Sequence, residues 1–328
     1  MPAITFLANF LRAVFKYHKK KILVSWLSVV FFAIALFPYN DLGDVITVQV
    51  AKRSNNQVFL QFKNLGLNVI PAPGINLEEV EISTPTLPTL KAKELTLSPS
   101  IASLLTFKLG FVAQASGVME GNITLKVKSS KQVEEGVYAQ NIDLKVRGLE
   151  LSQLKDLVES PIVLKGKANL SVNSLQLDPT FREQPEGNVQ ISSGAISLPA
   201  ATVLTPYGPL SLPTFQWSQV QMEGRISAGK LYIESAQLGS TKDAFNAQFK
   251  GELNIKMMRQ GAQFTPSFGA YKLKLKLNVH KTAQQSLGLF LSLLSSYKKT
   301  TLNGASYAVQ FSSPHFGANP SITPLTAF

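Results

Sequence analysis

Tyr271, Leu273, Leu275, Leu277 and Val279 alternate with Lys272, Lys274, Lys276 and Asn278, a strict period of two over nine residues. That pattern commits the segment to a strand with one apolar side, the five residues from Tyr271 to Val279, and one wet side. The same alternation recurs at 123–127 (ITLKV), 142–146 (IDLKV), 168–172 (ANLSV) and 231–233, with further β-rich segments at 57–62, 189–191, 249–255 and 307–311. Strands with one solvated face belong to antiparallel sheets, so the expected fold is mainly β. Glycine precedes or interrupts several of these runs, at Gly117 and Gly121, Gly166 and Gly251. Two readings fit it: ordinary hairpin glycine, or one strand-pair module reused along a growing sheet.

A second feature fixes the compartment. Residues 22–37 (ILVSWLSVVFFAIALF) are sixteen uncharged residues, preceded by Arg12, Lys16, Lys19, Lys20 and Lys21 with no acid before Asp41. Extended by Pro38 and Tyr39, the run approaches the ~20 residues a helix needs to cross a bilayer core. It predicts a single transmembrane helix over 22–39, anchored by Ile22, Leu23, Trp26, Phe31, Phe32 and Phe37. The cations on its amino side place a leader, 1–21, in the cytoplasm and a domain, 40–328, on the export side. Two alternatives compete: a buried core helix, and a cleavable signal peptide cut near Ala33-Ile34-Ala35, which has the small-x-small spacing of a cleavage site. Within the leader, Ile4, Leu7, Leu11 and Val14 recur at helical spacing, which suits a helix lying on the inner membrane surface or an extension of the span.

The exported part retains 27 cations against 20 anions once the five leader charges are set aside from the net +12. No cysteine occurs in the chain, so its stability must come from apolar burial and backbone pairing. Helical signals are short. They fall at 42–50, where β-branched residues leave strand as an alternative, at 101–105 after Ser98-Pro99-Ser100, at 153–158 after Ser152, and at 282–297. The last is the longest, with Leu287, Phe290, Leu291 and Leu294 on one face, widened by Leu289 and Leu293; it suits a plug at the end of a curved sheet or a cover on its apolar side.

Chemistry finds little foothold. The three histidines, His18, His280 and His315, are far apart, and no HExxH, GxSxG, GxxxxGK[ST] or GxGxxG occurs. Adjacent acids at Glu78-Glu79 and Glu134-Glu135 read as solvated loop or edge residues, because neighbours on a strand point to opposite faces. Lys272, Lys274 and Lys276 lack interleaved surface aromatics, so they read as a solvated face and not a nucleic-acid site. Neither catalytic residues nor a cofactor or metal site is expected.

The order of features resembles a known family. A short leader, a span ending in Phe37-Pro38-Tyr39-Asn40-Asp41, an amphipathic segment, the stretch from Leu90 through Ser100 to Leu105, a Gly-x-x-x-Gly strand, and a leucine-rich segment followed by Leu302-Asn-Gly304 through Phe311 are together similar to general secretion pathway protein N. That is the form of type II secretion system protein N found in deltaproteobacteria and spirochaetes, itself similar to the larger AsmA-like group. The resemblance implies a non-enzymatic protein with one inner-membrane span and a periplasmic, curved antiparallel AsmA-like sheet, partnered by the inner membrane and other secretion subunits. The AsmA-like likeness implies an alternative, a periplasmic module that binds or transfers phospholipid on an apolar concave face. A sheet closed by the 282–297 helix favours the first; an open trough favours the second.

Overall fold

The computed structural model describes residues 19–21, 23–29, 32, 42–68, 73–85, 88–100, 103, 110–155, 162–205, 208–260, 263–325 and 328. Lys19, Lys20, Lys21, Leu23, Trp26 and Phe32 are helical and exposed. Ile22, Phe31, Phe37, Arg12, Lys16 and the Ala33-Ile34-Ala35 site lie outside the described residues, as does the amphipathic pattern of the leader. Among the described residues, no helix is long and apolar enough to cross a membrane.

Helix α1 (Gly43–Arg53) follows, so the 42–50 segment is helical despite its β-branched content. Ile46 and Val50 decide this by packing on the sheet, which outweighs the weak helix propensity of valine and isoleucine. The chain then runs through β1 (Phe59–Gln61), β2 (Asn64–Asn68), β3 (Gly74–Ser83), β4 (Leu90–Pro99), β5 (Gly110–Val118), β6 (Gly121–Glu134), β7 (Val137–Glu150), β8 (Lys167–Leu177) and β9 (Glu186–Ser193). Four short strands, β10 (Ile196–Leu198), β11 (Ala201–Thr205), β12 (Gly208–Leu212) and β13 (Phe215–Trp217), make a nested hairpin arm in which β10 pairs β13 and β11 pairs β12. Then come β14 (Val220–Ser227), β15 (Lys230–Leu238), β16 (Phe245–Gln260), β17 (Gln263–His280), β18 (Lys298–Thr301), β19 (Gly304–Ser313) and β20 (Ser321–Pro324).

Outside the arm, all these strands form one antiparallel sheet in the order β1-β3-β4-β5-β6-β7-β8-β9-β14-β15-β16-β17-β19-β18. Most neighbours are consecutive in sequence, because short turns join them; Met119 and Glu120, both at positive φ, close the β5–β6 hairpin between Gly117 and Gly121. The sheet ends in broken edges. β3 carries β1 and β2 end to end along its outer side, separated at the Glu79 kink, while β19 carries β18 and β20. Short edge strands bearing Lys298, Lys299 and Pro324 discourage further pairing at the carboxy-terminal side.

Two clusters of buried side chains sit at opposite ends of this sheet. The amino-terminal one joins Leu60, Leu65, Leu77, Val80, Ala92 and Val118 beneath α1. The carboxy-terminal one is larger and two-layered. Ile196, Leu198, Phe215 and Trp217 of the arm, with Ala283, Leu287, Leu291 and Leu294, cover Val279, Ala305, Tyr307 and Val309 of β17 and β19. Phe245 meets Phe215 and Trp217 edge to face, at ring separations of 5.0 and 5.2 Å.

The 282–297 segment departs from the expected single helix. It is two helical turns, Lys281–Gln284 and Gly288–Ser292, followed by a 3-10 turn at Ser295–Tyr297. The second turn begins at Gly288 after a non-helical Leu287, and Ala283, Leu287, Leu291 and Leu294, spaced by four, four and three as on one helical face, all reach the carboxy-terminal core. Leu293, expected to widen the apolar face, is 71 % exposed. Ser98 and Pro99 belong to β4; Ser103, the one described residue of the 101–105 segment, is helical, its N–H donating to the Ser100 carbonyl at 2.9 Å. Ser152 sits inside the 3-10 turn Leu151–Gln153 instead of capping a helix.

Candidate functional site

Register turns the alternating strands into continuous apolar rows. One row passes through Leu125, Leu144, Val172, Val189, Gly224, Ile233, Gly251 and Leu273, one residue from each of β6–β9 and β14–β17. Beside it run Ala115, Ile123, Val146, Leu170, Ile191, Met222, Ala236, Phe249 and Leu275. On its other side lie Phe111, Val127, Ile142 and Leu175, then, past a bulge in β8, Ile226, Leu231, Leu253 and Tyr271. Gly251 is required where it stands: its φ is +153°, and a Cβ there would run into the Lys272 carbonyl of β17.

Among the described residues, no second layer covers the middle of these rows. In β6–β9, β14 and β15, Ala139 and Val146 are the only buried apolar side chains, although leucine, isoleucine and valine fill the positions. The chain's accessible surface, 21529 Å², is well above the ~13,000 Å² expected of a compact protein of this mass, as suits a single-layered sheet with an exposed amino-terminal helix. Near the amino-terminal end the face deepens into a depression of about 630 Å³ lined by Leu67, Pro73, Ile75, Leu97, Pro99 and Phe111. Its size lies within the range of small-ligand pockets, and its walls are almost wholly apolar.

The expected apolar face of β17 falls on these rows. Leu273 joins the central row, Tyr271 packs against Phe316 at a ring separation of 6.4 Å, Leu275 and Leu277 lean on the carboxy-terminal core, and Val279 lies inside it. Lys272, Lys274 and Lys276 occupy the opposite side, in register with Glu252, Lys250 and Gln248. That polar side carries exposed or half-exposed ion pairs such as Lys230 to Glu252 at 3.2 Å and Lys91 to Glu81 at 2.8 Å, each worth about 0 to 1 kcal/mol.

Sequence periodicity missed the contribution of β3, β4, β5 and β14. In β3 the kink at Glu79, which has φ +50°, shifts the period so that Leu77 and Val80, three apart, face the same side. In β14 the row position is Gly224, which carries no apolar signal. Glu78 and Glu79 are exposed on β3, where Glu78 accepts from Asn64 and Glu79 pairs with Lys63.

The perturbed carboxylates brace the fold. Asp243 is pushed up by burial, but this is outweighed by donors from the Ser218 and Ser240 backbone N–H groups and hydroxyls, which hold its carboxyl below the ordinary 3.8. It ties the base of the arm to the β15–β16 turn. Asp178 is similarly opposed by burial and held low by Thr180, Glu183 and Arg182, fixing the loop between β8 and β9. Burial alone raises the Tyr307 hydroxyl. Among the described residues, no group of His, Asp and Glu is arranged to hold a metal ion. His280 contacts the Thr241 carbonyl at 3.2 Å, and His315 lies in the loop between β19 and β20.

No family model matches this chain, and neither a curated protein nor a solved structure matches it.

Proposed function

We propose that this protein is a non-enzymatic, inner-membrane-anchored lipid-binding module that shelters phospholipid acyl chains on the uncovered apolar face of its export-side sheet. The observation that carries it is the set of three apolar rows crossing the middle strands without a covering layer. Contiguous apolar surface on this scale marks a site for another apolar body. An acyl chain gains about 0.8 kcal/mol per CH₂ removed from water, so even partial contact along the rows is substantial. The 22–39 run, with its lysine-rich amino side, supplies the anchor and places the sheet in the periplasm.

Native mass spectrometry of the detergent-extracted chain tests this. Phospholipid should copurify, and labelled lipid should bind and be displaced when Leu144 or Val172 is replaced by Asp. Absence of copurifying lipid together with no binding of labelled lipid sinks the reading.

A second reading follows from the resemblance to type II secretion system protein N: the anchored sheet contacts other secretion subunits. The feature that favours it is the position of β1 and β2 at the end of the sheet's strand order, an edge suited to strand addition. Crosslinking in intact envelopes separates the two. A probe at Leu67 capturing a secretion subunit supports the second, and probes at Leu144 capturing lipid support the first.

A further inference from the structure

Helix α1 has two apolar sides. Ile46 and Val50 pack on the amino-terminal core, whereas Leu42, Val45 and Val48 point away from it and are 38, 56 and 62 % exposed. At 100° per residue, Leu42, Val45 and Val48 share one arc with Gln49 and Lys52, which runs from the flank beside Ile46 at Leu42 to the side opposite the sheet at Val48. Phe59 of β1, also exposed, stands with Val48 and Thr47 along a groove of about 690 Å³ between α1 and the sheet edge. Lys52 and Arg53 in the last turn put cations at the rim of this patch, Asp44 in the first turn borders it beside Val48, and Lys63 close by is paired with Glu79.

The chain itself limits what can cover it. Four residues separate Phe37, the last of the apolar run, from Leu42, and the five steps between them allow at most about 17 Å of extended chain. Each headgroup layer of a bilayer is about 5 to 8 Å thick. Wherever the run crosses a membrane, α1 is therefore held within reach of the same surface. An exposed valine and leucine stripe with basic residues at its border is the chemistry of a helix lying in an anionic phospholipid interface.

We propose that α1 is an interfacial helix, its Leu42, Val45 and Val48 side immersed in the export-side headgroup layer, and that it seats the amino-terminal end of the sheet on the membrane. The proposal rests on the anchor assigned above. Its consequence is geometric: α1 meets β1 at the amino-terminal edge of the sheet, so seating α1 brings that edge to the bilayer.

Because the chain has no cysteine, single-cysteine variants of the full-length protein can carry a bimane probe at one chosen place. Trp26→Cys, Val45→Cys, Val48→Cys and Lys242→Cys are compared in nanodiscs of phosphatidylglycerol and phosphatidylcholine with and without a lipid quencher near the headgroup. Probes at 45 and 48 should lose emission about twofold or more, as for an interfacial helix, while that at 242 should be unchanged. If 26 is quenched but 45 and 48 behave like 242, the anchor stands and the interfacial helix is wrong. If 26 is not quenched either, the anchor itself is wrong. Shielding of 45 and 48 from aqueous iodide without lipid quenching would assign the stripe to a protein partner or a second copy, which also overturns the proposal.

Discussion

Val309, Tyr307 and Val279 at the carboxy-terminal end of the sheet are at most 2 % exposed, whereas Ile123, Leu170 and Ile191, whose row continues through Leu275 to Val309, remain partly open. The residue types and the alternation are the same. What differs is the second layer: the arm and the 281–297 turns bury β17 and β19, reach the ends of β8, β14 and β15 at Ala168, Val220 and Leu238, and stop short of the middle of the rows among the described residues. An apolar sheet face is thus a structural core at one end and, in the proposed function, a binding surface in the middle. Strand pairing through the backbone holds both parts together, so the middle does not need its own cover to keep its register.

The comparison can be broken most forcefully at its closed end. Tyr307→Ala should destabilise the protein by about 3 to 5 kcal/mol, through lost burial and the cavity left under the arm. Urea denaturation followed by tryptophan fluorescence reads this directly, since Trp217 is in the same cluster. A loss below about 1 kcal/mol would mean that the two-layered end is no core.

Next in size is the tie that holds the cover in place. Asp243→Ala removes a charged acceptor of three hydrogen bonds at the arm's base and should cost about 1 to 3 kcal/mol at neutral pH. The folded carboxyl is held below its ordinary value, so its contribution is complete above that value and disappears as pH falls through the folded pKa. Wild type and variant should therefore converge in stability below about pH 4, and a difference that persisted unchanged into strong acid would exclude the linkage.

A charge in the open middle should matter less to stability. Leu144→Asp is expected to cost about 1 kcal/mol, mainly in strand preference and cross-strand contact, while abolishing lipid capture. A loss as large as that of Tyr307→Ala would show that a layer covers Leu144 after all. Smallest of all, Lys91→Gln removes an exposed ion pair to Glu81 on the polar side and should shift stability by less than about 0.5 kcal/mol.

Much of the sheet was legible along the chain. The alternating segments at 123–127, 142–146, 168–172, 231–233 and 271–279 all lie in strands, because period-two burial is a local property of pleated backbone. The candidate face on β17 was legible for the same reason. Its continuation through β3 and β14 was not, since the Glu79 kink breaks the period and Gly224 carries no side chain to reveal it. The 282–297 helix was misjudged because its apolar spacing suits a helix equally well when the helix is broken. Only the folded chain shows that it is broken at 285–287 and that Leu293 faces away.

The sequence by itself determined a mainly β chain without cysteine or a recognisable catalytic motif, its strands after residue 57 having one apolar side, since composition and period are written residue by residue. The tertiary structure decided which of those apolar sides are covered. Covering a strand depends on where the arm at 196–217 and the turns at 281–297 come to rest, and residues more than sixty positions apart, such as Phe215 and Val279, share a core only once antiparallel pairing has brought their strands together.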